Sequence, residues 1–182
     1  QLLAGTIEEQ KQLLAQSEIK LLQAQINPHF LFNALNTLAA VIRRDTEAAR
    51  QIVLHLSTFF RKSLKRVSME ATLKDELEHV DSYLQIELAR FAGRLDVSFQ
   101  VPEGLMHLRL PAFTLQPIVE NAIKYGISQM IDHGQITISA EQQEGTLEIH
   151  VENTAGLYQP TPAGDGMGMN LVDRRIKIRY GA

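Results

Sequence analysis

One histidine, His29, lies in the segment with the most unusual local composition. Pro28 precedes it, and three asparagines, Asn27, Asn33 and Asn36, fall nearby, although none of these residues favours a helix interior. A neutral imidazole nitrogen is a good nucleophile near neutral pH. It could attack the γ-phosphate of ATP if another part of the protein delivers the nucleotide. A histidine in a kinked core helix is the alternative, and this segment alone leaves both interpretations open.

Pro28 predicts a bend in the helix that carries His29. Inside a helix, proline removes a backbone hydrogen bond and costs about 3 kcal/mol. In a helix over residues 3–43, it would leave the carbonyl of Ala24 unpaired. Asn33 would lie one turn after His29 on the same face, within reach of the imidazole. Because local helix propensity is sacrificed here, we expect the bend to serve a function.

A second group of polar residues lies on one face of a predicted helix over residues 114–125. Its members are Glu120, Asn121 and Lys124. The other face repeats apolar residues at helical spacing, namely Leu115, Ile118, Val119, Ala122 and Ile123. A carboxylate, an amide oxygen and an ammonium group on one side suit Mg²⁺ with phosphate. The alternative is the solvated face of an ordinary amphipathic helix.

A glycine-rich loop precedes the last predicted helix, which begins near Met169. Gly166 and Gly168 allow the backbone to approach phosphate groups, and the start of a helix attracts anions. Alone, two glycines before a helix are a weak signal. The segment between Thr154 and Asp165 is short, so we expect a short, mobile loop over the site.

These groups must be positioned by two kinds of structure. The first 66 residues hold one of the six prolines and one of the eleven glycines, which favours a helical part followed by a turn-containing part. The patterns predict helices over residues 3–43, 46–65 and 73–91, and strands over residues 95–101, 134–140 and 146–152. The first helix carries a weak coiled-coil repeat. The first two helices cannot bury their apolar faces alone, so we expect a four-helix bundle in a dimer.

Composition excludes several classes of protein. The 182 residues are 45% apolar and carry a net charge of −3, which argues against a nucleic-acid binder. The absence of cysteine excludes disulfides, thiolate metal sites and a cysteine nucleophile. No apolar stretch is long enough to span a membrane, and there is no signal peptide. The chain begins at Gln1 without Met, so we expect a fragment whose membrane and sensor regions lie upstream.

The run N-P-H-F-L-F-N at residues 27–33 resembles the phosphoacceptor motif of the LytS/YehU-type sensor histidine kinases. The similarity is nearly continuous over residues 22–38, and it extends through Tyr83-Leu84 and Arg90-Phe91. It implies that His29 is the phosphorylated residue. Phe30 stands where the larger histidine kinase class has an acidic residue, so no adjacent carboxylate in the sequence activates His29.

Residues 115–126 are similar to the N box of the GHKL ATPases, the group to which histidine kinases belong. The resemblance implies that Asn121 coordinates Mg²⁺, that Glu120 assists polarisation at the phosphates and that Lys124 contacts phosphate. Tyr125 stands where the family usually has histidine. Residues 166–171 resemble the G2 box, which implies that Gly166 and Gly168 shape the loop over ATP and that Asn170 lies near the phosphates.

Two departures from the family pattern concern the adenine site and the end of the chain. Asn153 replaces the aspartate that accepts a hydrogen bond from the adenine amino group. An amide oxygen can still accept this bond but lacks the charge, so we expect weaker binding than with aspartate. The second glycine of this motif is displaced to Gly156, after Ala155. The family continues beyond Ala182 into a final strand pair, so we expect the sheet to lack strands there.

The resemblance, over residues 20–181, implies an α plus α/β architecture. A coiled-coil helix (1–25) leads into a helical hairpin for dimerisation and phosphotransfer (20–68). An ATP-binding two-layer α/β sandwich with a mixed sheet follows (69–182).

The implied activity is autophosphorylation of His29 with ATP and Mg²⁺, followed by transfer to an aspartate of a response regulator. The implied protein is a homodimer and the cytoplasmic portion of an inner-membrane sensor. The Asn121 and Gly166 regions are most similar to the pyruvate-responsive YehU and YpdA types. A GHKL ATPase without phosphohistidine and a non-catalytic dimeric scaffold remain as alternatives.

Overall fold

A computed structural model describes residues 27–65 and 70–154, together with Val172. The helices are α1 (Pro28–Val41), α2 (Thr46–Lys65), α3 (Leu73–Phe91) and α4 (Leu115–Asn121). The strands are β1 (Glu70–Thr72), β2 (Leu95–Gln100), β3 (Arg109–Pro111), β4 (Gly134–Gln143) and β5 (Thr146–Asn153). Within these ranges, no helix is both long and apolar enough to cross a membrane.

Helix α1 begins at Pro28, so the predicted bend inside a longer helix is wrong at this position. Asn27 has an extended backbone, and its Oδ1 accepts hydrogen bonds from the backbone nitrogens of His29 (3.1 Å) and Phe30 (3.4 Å). Proline suits the first helical position because an N–H there would have no partner within the helix. The expected cost of Pro28 therefore does not arise. The part of the predicted helix before Asn27 lies outside the described residues.

Helices α1 and α2 form a hairpin, as predicted, and α2 has the predicted bounds. Asp45 ends the short connection and accepts a hydrogen bond from the backbone nitrogen of Ala48 through Oδ1, at 2.8 Å. The ring of Phe30 on α1 packs edge-on against Phe59 on α2, with centroids 5.1 Å apart, and lies 4.8 Å from Tyr83 on α3. This aromatic cluster joins the hairpin to the rest of the fold.

Helix α3 is the central helix, and the predicted bounds of residues 73–91 are confirmed. A capping box fixes its start, since Thr72 Oγ1 accepts from the backbone nitrogen of Asp75 and Asp75 Oδ2 accepts from that of Thr72, both at 3.1 Å. Val80 and Leu84 are fully buried. They belong to the hydrophobic core that also includes residues of α1, α2, α4 and β4. Helix α3 therefore links the α1–α2 hairpin to the α/β part.

The main sheet has three strands in the order β2-β4-β5, and the predicted mixed sheet is confirmed. Strand β2 pairs with β4 in parallel, and β4 pairs with β5 in antiparallel fashion. Ile136, Ile138 and Ala140 of β4 alternate into the core beneath the helices, while the residues between them are more exposed. The helices thus cover one face of the sheet.

A second sheet, formed by β1 and β3, was not predicted. The two strands pair in antiparallel fashion, with Glu70 opposite Pro111 and Thr72 opposite Arg109. Each strand has only three residues, which is too short for apolar alternation to show in the sequence. This small ladder places the start of α3 beside the segment that leads into α4.

Glu76 of α3 fixes the start of α4. This carboxylate is 1% exposed, and its two oxygens accept hydrogen bonds from the backbone nitrogens of Phe113 (2.8 Å) and Leu115 (2.9 Å). The first turn of a helix has N–H groups without helical partners, and a buried donor without an acceptor is costly. Glu76 therefore sets the position from which α4 projects its polar face.

We expect Glu76→Ala to lower the free energy of unfolding by about 2 kcal/mol, because two buried donors lose their acceptor. Denaturant unfolding followed by circular dichroism measures this change. Glu78→Ala is the control, since Glu78 is half exposed and its ion pair with Lys62 contributes less than about 1 kcal/mol. Equal stability of the two variants would contradict the assigned role of Glu76.

Candidate functional site

A cleft of about 410 Å³ lies between the start of α1 and the end of α4. Five residues that the sequence predicted for the site line this cleft: His29, Asn33, Glu120, Asn121 and Lys124. The predicted phosphoacceptor and the predicted nucleotide-binding helix are therefore adjacent. They are separated by about ninety positions in sequence, and the packing of both helices against α3 brings them together.

His29 is exposed at the mouth of this cleft, and Asn33 lies against its ring. Asn33 Nδ2 is 3.4 Å from Nδ1 and 3.5 Å from Nε2 of His29. The amide can donate to whichever ring nitrogen is unprotonated, so it restricts the orientation of the imidazole. The predicted proximity of Asn33 to the imidazole, one helical turn away, is confirmed.

Glu120 connects α4 to the start of α1. Its Oε1 accepts a hydrogen bond from Gln116 Nε2 at 2.7 Å, and its Oε2 accepts one from Asn27 Nδ2 at 3.5 Å. Burial raises the pKa of Glu120, while the hydrogen bonds from Gln116 and Asn27 act in the opposite direction. A carboxylate held in this way can act on a cation or on a proton in the cleft.

Three residues of α3 that received no role from the sequence also line the cleft: Tyr83, Glu87 and Arg90. Burial raises the pKa of Glu87 to about 7, although its ion pair with Arg90 lowers this pKa and the charge of Glu120 raises it further. Arg90 also donates to Ser128 Oγ at 3.3 Å. Their i, i+4, i+7 spacing indicates a shared helical face, which is the signal that could have identified them.

The helix of the N-box segment does not continue regularly to residue 125. Helix α4 ends at Asn121, and the chain continues in a wider π-helical turn over Ala122–Gly126. Such turns occur often at functional sites. Of the predicted apolar face, Ile118 is only partly buried, and four residues are buried: Leu115, Val119, Ala122 and Ile123.

Lys124 and Tyr125 lie on this wider turn. The Lys124 ammonium donates to the Tyr125 hydroxyl at 2.9 Å and lies 4.7 Å from the centre of its ring. Tyr125 itself is 41% exposed and is not among the residues that line the cleft. The prediction that Tyr125 binds the nucleotide stays a prediction.

Asn153 lies at the end of β5, directly against the π-helical turn. Its Nδ2 donates to the backbone oxygen of Thr154 at 3.2 Å. A Cβ atom on Gly126 would lie only 2.0 Å from Asn153 Nδ2. Gly126 has a φ of −95°, which other residues also adopt, so glycine is needed here for space rather than for backbone conformation.

We expect Gly126→Ala to displace the Asn153 side chain and to lower ADP affinity about tenfold, the effect of about one lost hydrogen bond. Calorimetric titration with ADP measures this. Gly104→Ala is the matched control, because a Cβ there would meet nothing within 4 Å. If both variants bind ADP as the wild type does, Asn153 has no part in nucleotide binding.

Four other predicted residues lie outside the described residues: Gly156, Gly166, Gly168 and Asn170. The glycine-rich loop and the last predicted helix lie there as well, apart from Val172. The roles that the resemblance implies for these residues stay predictions.

Comparisons with known proteins identify relatives of this chain. The family described as histidine kinase matches residues 17–95, which include His29 and all of α3. The chain is 61% identical over 181 residues to the sensor histidine kinase BtsS of Escherichia coli K12, covering 100% of this chain and 32% of that protein.

Two proteins named sensor protein LytS are more distant. The LytS of Staphylococcus saprophyticus is 42% identical over 194 residues, covering 100% of this chain and 33% of that protein. The LytS of Bacillus subtilis is 36% identical over 189 residues, covering 98% of this chain and 32% of that protein. The chain thus spans about a third of the length of the curated relatives that it matches.

Proposed function

Since this chain belongs to the LytS/YehU-type family of sensor histidine kinases, we propose that it phosphorylates its own His29 with ATP. It then passes the phosphoryl group to an aspartate of a response regulator. The observation that carries the proposal is the shared cleft. An exposed imidazole lies in the same cleft as the carboxylate, amide and ammonium groups of the N-box segment.

The reaction forms one bond and breaks another at the γ-phosphorus of ATP. The unprotonated ring nitrogen of His29 attacks this phosphorus, the bond to the bridging oxygen breaks, and ADP leaves with the electron pair. The other ring nitrogen then releases its proton. Asn33 orients the imidazole before attack, since its amide lies within 3.5 Å of both ring nitrogens, and its N–H leaves the unprotonated nitrogen as the bond to phosphorus forms.

The polar face at the end of α4 fits the phosphates and a divalent cation. Asn121 offers an amide oxygen and Glu120 a carboxylate, which are ligand types that Mg²⁺ accepts. We assign Asn121 as the metal ligand and Glu120 as the group that assists polarisation at the phosphates. Lys124 contacts phosphate. When bound, Mg²⁺ neutralises the charge that develops on the phosphate oxygens.

Adenine binding is assigned to Asn153, which lies against the π-helical turn at Gly126. Asn153 would accept a hydrogen bond from the adenine amino group through its amide oxygen. Gly156, Gly166, Gly168 and Asn170 would complete the site over the nucleotide, and Tyr125 would lie beside it. These assignments rest on the resemblance and on the contact of Asn153 with Gly126.

We also propose that the chain acts as a homodimer. Large apolar side chains are exposed on the α1–α2 hairpin, namely Phe32, Leu35, Ile42, Val53, Leu54 and Leu64. Phe32 is 68% exposed, which is unfavourable unless another surface covers it. A second hairpin that completes a four-helix bundle would bury this face. Residues 20–68 would then be the dimerisation and phosphotransfer domain, with residues 1–25 as its coiled-coil extension and residues 69–182 as the ATP-binding domain.

In the complete protein, we propose that this chain is the cytoplasmic portion of a membrane-anchored sensor. A response to pyruvate is part of the same proposal and rests on resemblance alone. Two alternatives use the same fold. A GHKL ATPase would hydrolyse ATP without phosphohistidine, and a dimeric scaffold would bind nucleotide weakly or not at all.

Incubation of the chain with γ-labelled ATP and Mg²⁺ distinguishes these functions. We expect label on the protein that survives alkali and is lost in acid, because phosphohistidine has that stability. Release of inorganic phosphate without labelled protein would favour the ATPase. A folded dimer that neither takes up label nor binds ADP would favour the scaffold.

A further inference from the structure

A row of hydrogen-bonded side chains runs from the core of the fold to the start of α1. His79 Nε2 lies 2.7 Å from Gln116 Oε1, and Gln116 Nε2 lies 2.7 Å from Glu120 Oε1. Glu120 Oε2 in turn lies 3.5 Å from Asn27 Nδ2. The row ends at the helix of His29, because Asn27 caps that helix through Oδ1.

The chemistry of these groups fixes the direction of each hydrogen bond. The amide nitrogen of Gln116 faces Glu120, whose carboxyl oxygen accepts the hydrogen bond. The amide oxygen of Gln116 then faces His79, which therefore donates through a protonated Nε2. A glutamine can meet both neighbours because its side chain carries a donor and an acceptor.

The inner end of the row is rigid. His79 is 1% exposed, and its ring stacks on Phe59 of α2 with centroids 4.9 Å apart and planes at 10°. Gln116 is 6% exposed. A buried side chain in such packing has few alternative rotamers, so Gln116 holds Oε1 of Glu120 in place. The second oxygen of Glu120 is thereby directed at Asn27.

We propose that Gln116, held by His79, is a positioning residue for the phosphorylation of His29, because it fixes the Glu120 carboxylate at the start of α1. This inference rests on the proposed function. Gln116 is not among the residues that line the cleft, so it acts through Glu120 and not on the reacting groups. The stack of His79 on Phe59 also connects the carboxylate to α2 of the helical hairpin.

The test compares Gln116→Met with Gln85→Met in the labelling reaction. Methionine keeps the length of the side chain and removes the donor to Glu120. Gln85 lies on α3, donates to Asp81 at 3.0 Å and is outside the cleft, so it provides the matched control. We expect Gln116→Met to lower the labelling rate at saturating ATP about tenfold or more. The half-saturating ATP concentration of Gln116→Met should equal that of the wild type. The labelling rate of the control, Gln85→Met, should also stay at the wild-type value.

A double-mutant cycle with Glu120→Gln separates positioning from a general structural effect. If Gln116 acts through Glu120, Gln116→Met should cost no further rate in the Glu120→Gln background. A loss of the same size in both backgrounds would overturn the inference, as would a Gln116→Met chain with the wild-type rate. If labelling of Glu120→Gln is too slow to measure, Gln116→Met alone decides. A lower labelling rate at saturating ATP with an unchanged half-saturating ATP concentration supports positioning, and any other result overturns it.

Folding of the variants is checked by thermal unfolding. If Gln116→Met does not fold, Gln116→Ala replaces it, because alanine removes the donor to Glu120 without placing a second carboxyl group beside it. Absence of label on the wild-type chain would instead count against the proposed function. A labelled wild type with an equally active variant would overturn this inference alone.

Discussion

Replacing His29 by glutamine is expected to abolish acid-labile labelling of the chain by γ-labelled ATP. Glutamine can form hydrogen bonds but has no nucleophilic ring nitrogen, so the bond to phosphorus cannot form. The rate should fall below detection, which is at least about a thousandfold for loss of a nucleophile. The fold should be unaffected because His29 is exposed and, within the described part of the chain, only Asn33 contacts its ring through a hydrogen bond.

ADP binding distinguishes a variant that lacks only the phosphoacceptor from a variant whose nucleotide site is damaged. His29→Gln should bind ADP as the wild type does, since the described residues that we propose to bind the nucleotide lie on α4, on the π-helical turn and on β5. His107→Gln is the control, because His107 is also exposed and lies outside the cleft. Label that persists on His29→Gln would show that His29 is not the phosphorylated residue, and loss of label from His107→Gln would show that the effect is not specific to His29.

Asn121→Ala is expected to lower the labelling rate at least about a hundredfold, or about 3 kcal/mol in the activation free energy. The amide oxygen is the assigned ligand of Mg²⁺, and alanine offers no replacement. Labelling as a function of Mg²⁺ concentration measures the effect, and a rise in the Mg²⁺ requirement identifies its cause. Asn121 is only partly buried, so the variant should fold.

Asn36→Ala is the matched control for Asn121→Ala. Asn36 is an exposed asparagine on α1 that does not line the cleft. Its loss should leave the labelling rate and the Mg²⁺ requirement unchanged. Equal rates for Asn121→Ala and Asn36→Ala would remove Asn121 from the proposed site.

Much of the fold was predictable because its long elements carry strong periodic patterns. The bounds of α2 and α3 follow from apolar spacing in the sequence, whereas the mixed sheet was implied by the family resemblance. The three-residue strands β1 and β3 were missed, since so short a segment has no period. The start of α1 was misjudged because an asparagine before a proline fits both a kinked helix and a capped one. Only the hydrogen bonds of Asn27 distinguish the two.

The sequence indicated candidate residues for the site but not the side-chain hydrogen bonds that hold them. Residue type and spacing singled out His29, Glu120 and Asn121 as candidates, and the structure places all three in one cleft. The roles of His79 and Gln116 depend on contacts between side chains 37 positions apart in sequence. No local pattern encodes such a contact, and Gln116 reads in the sequence as an ordinary residue of the first helical turn.

The place of His29 in the first turn of α1 affects the product as well as the acceptor. Phosphorylation would add a charge of about −2 at this position. Peptide dipoles aligned along α1 create a positive potential at its start, and an anion there gains about 0.3–1 kcal/mol. Because Asn27 already occupies the backbone nitrogens of His29 and Phe30, the phosphoryl group would experience this field without being tied to those donors. The high-energy phosphoramidate would thus be made longer-lived, yet left accessible for transfer.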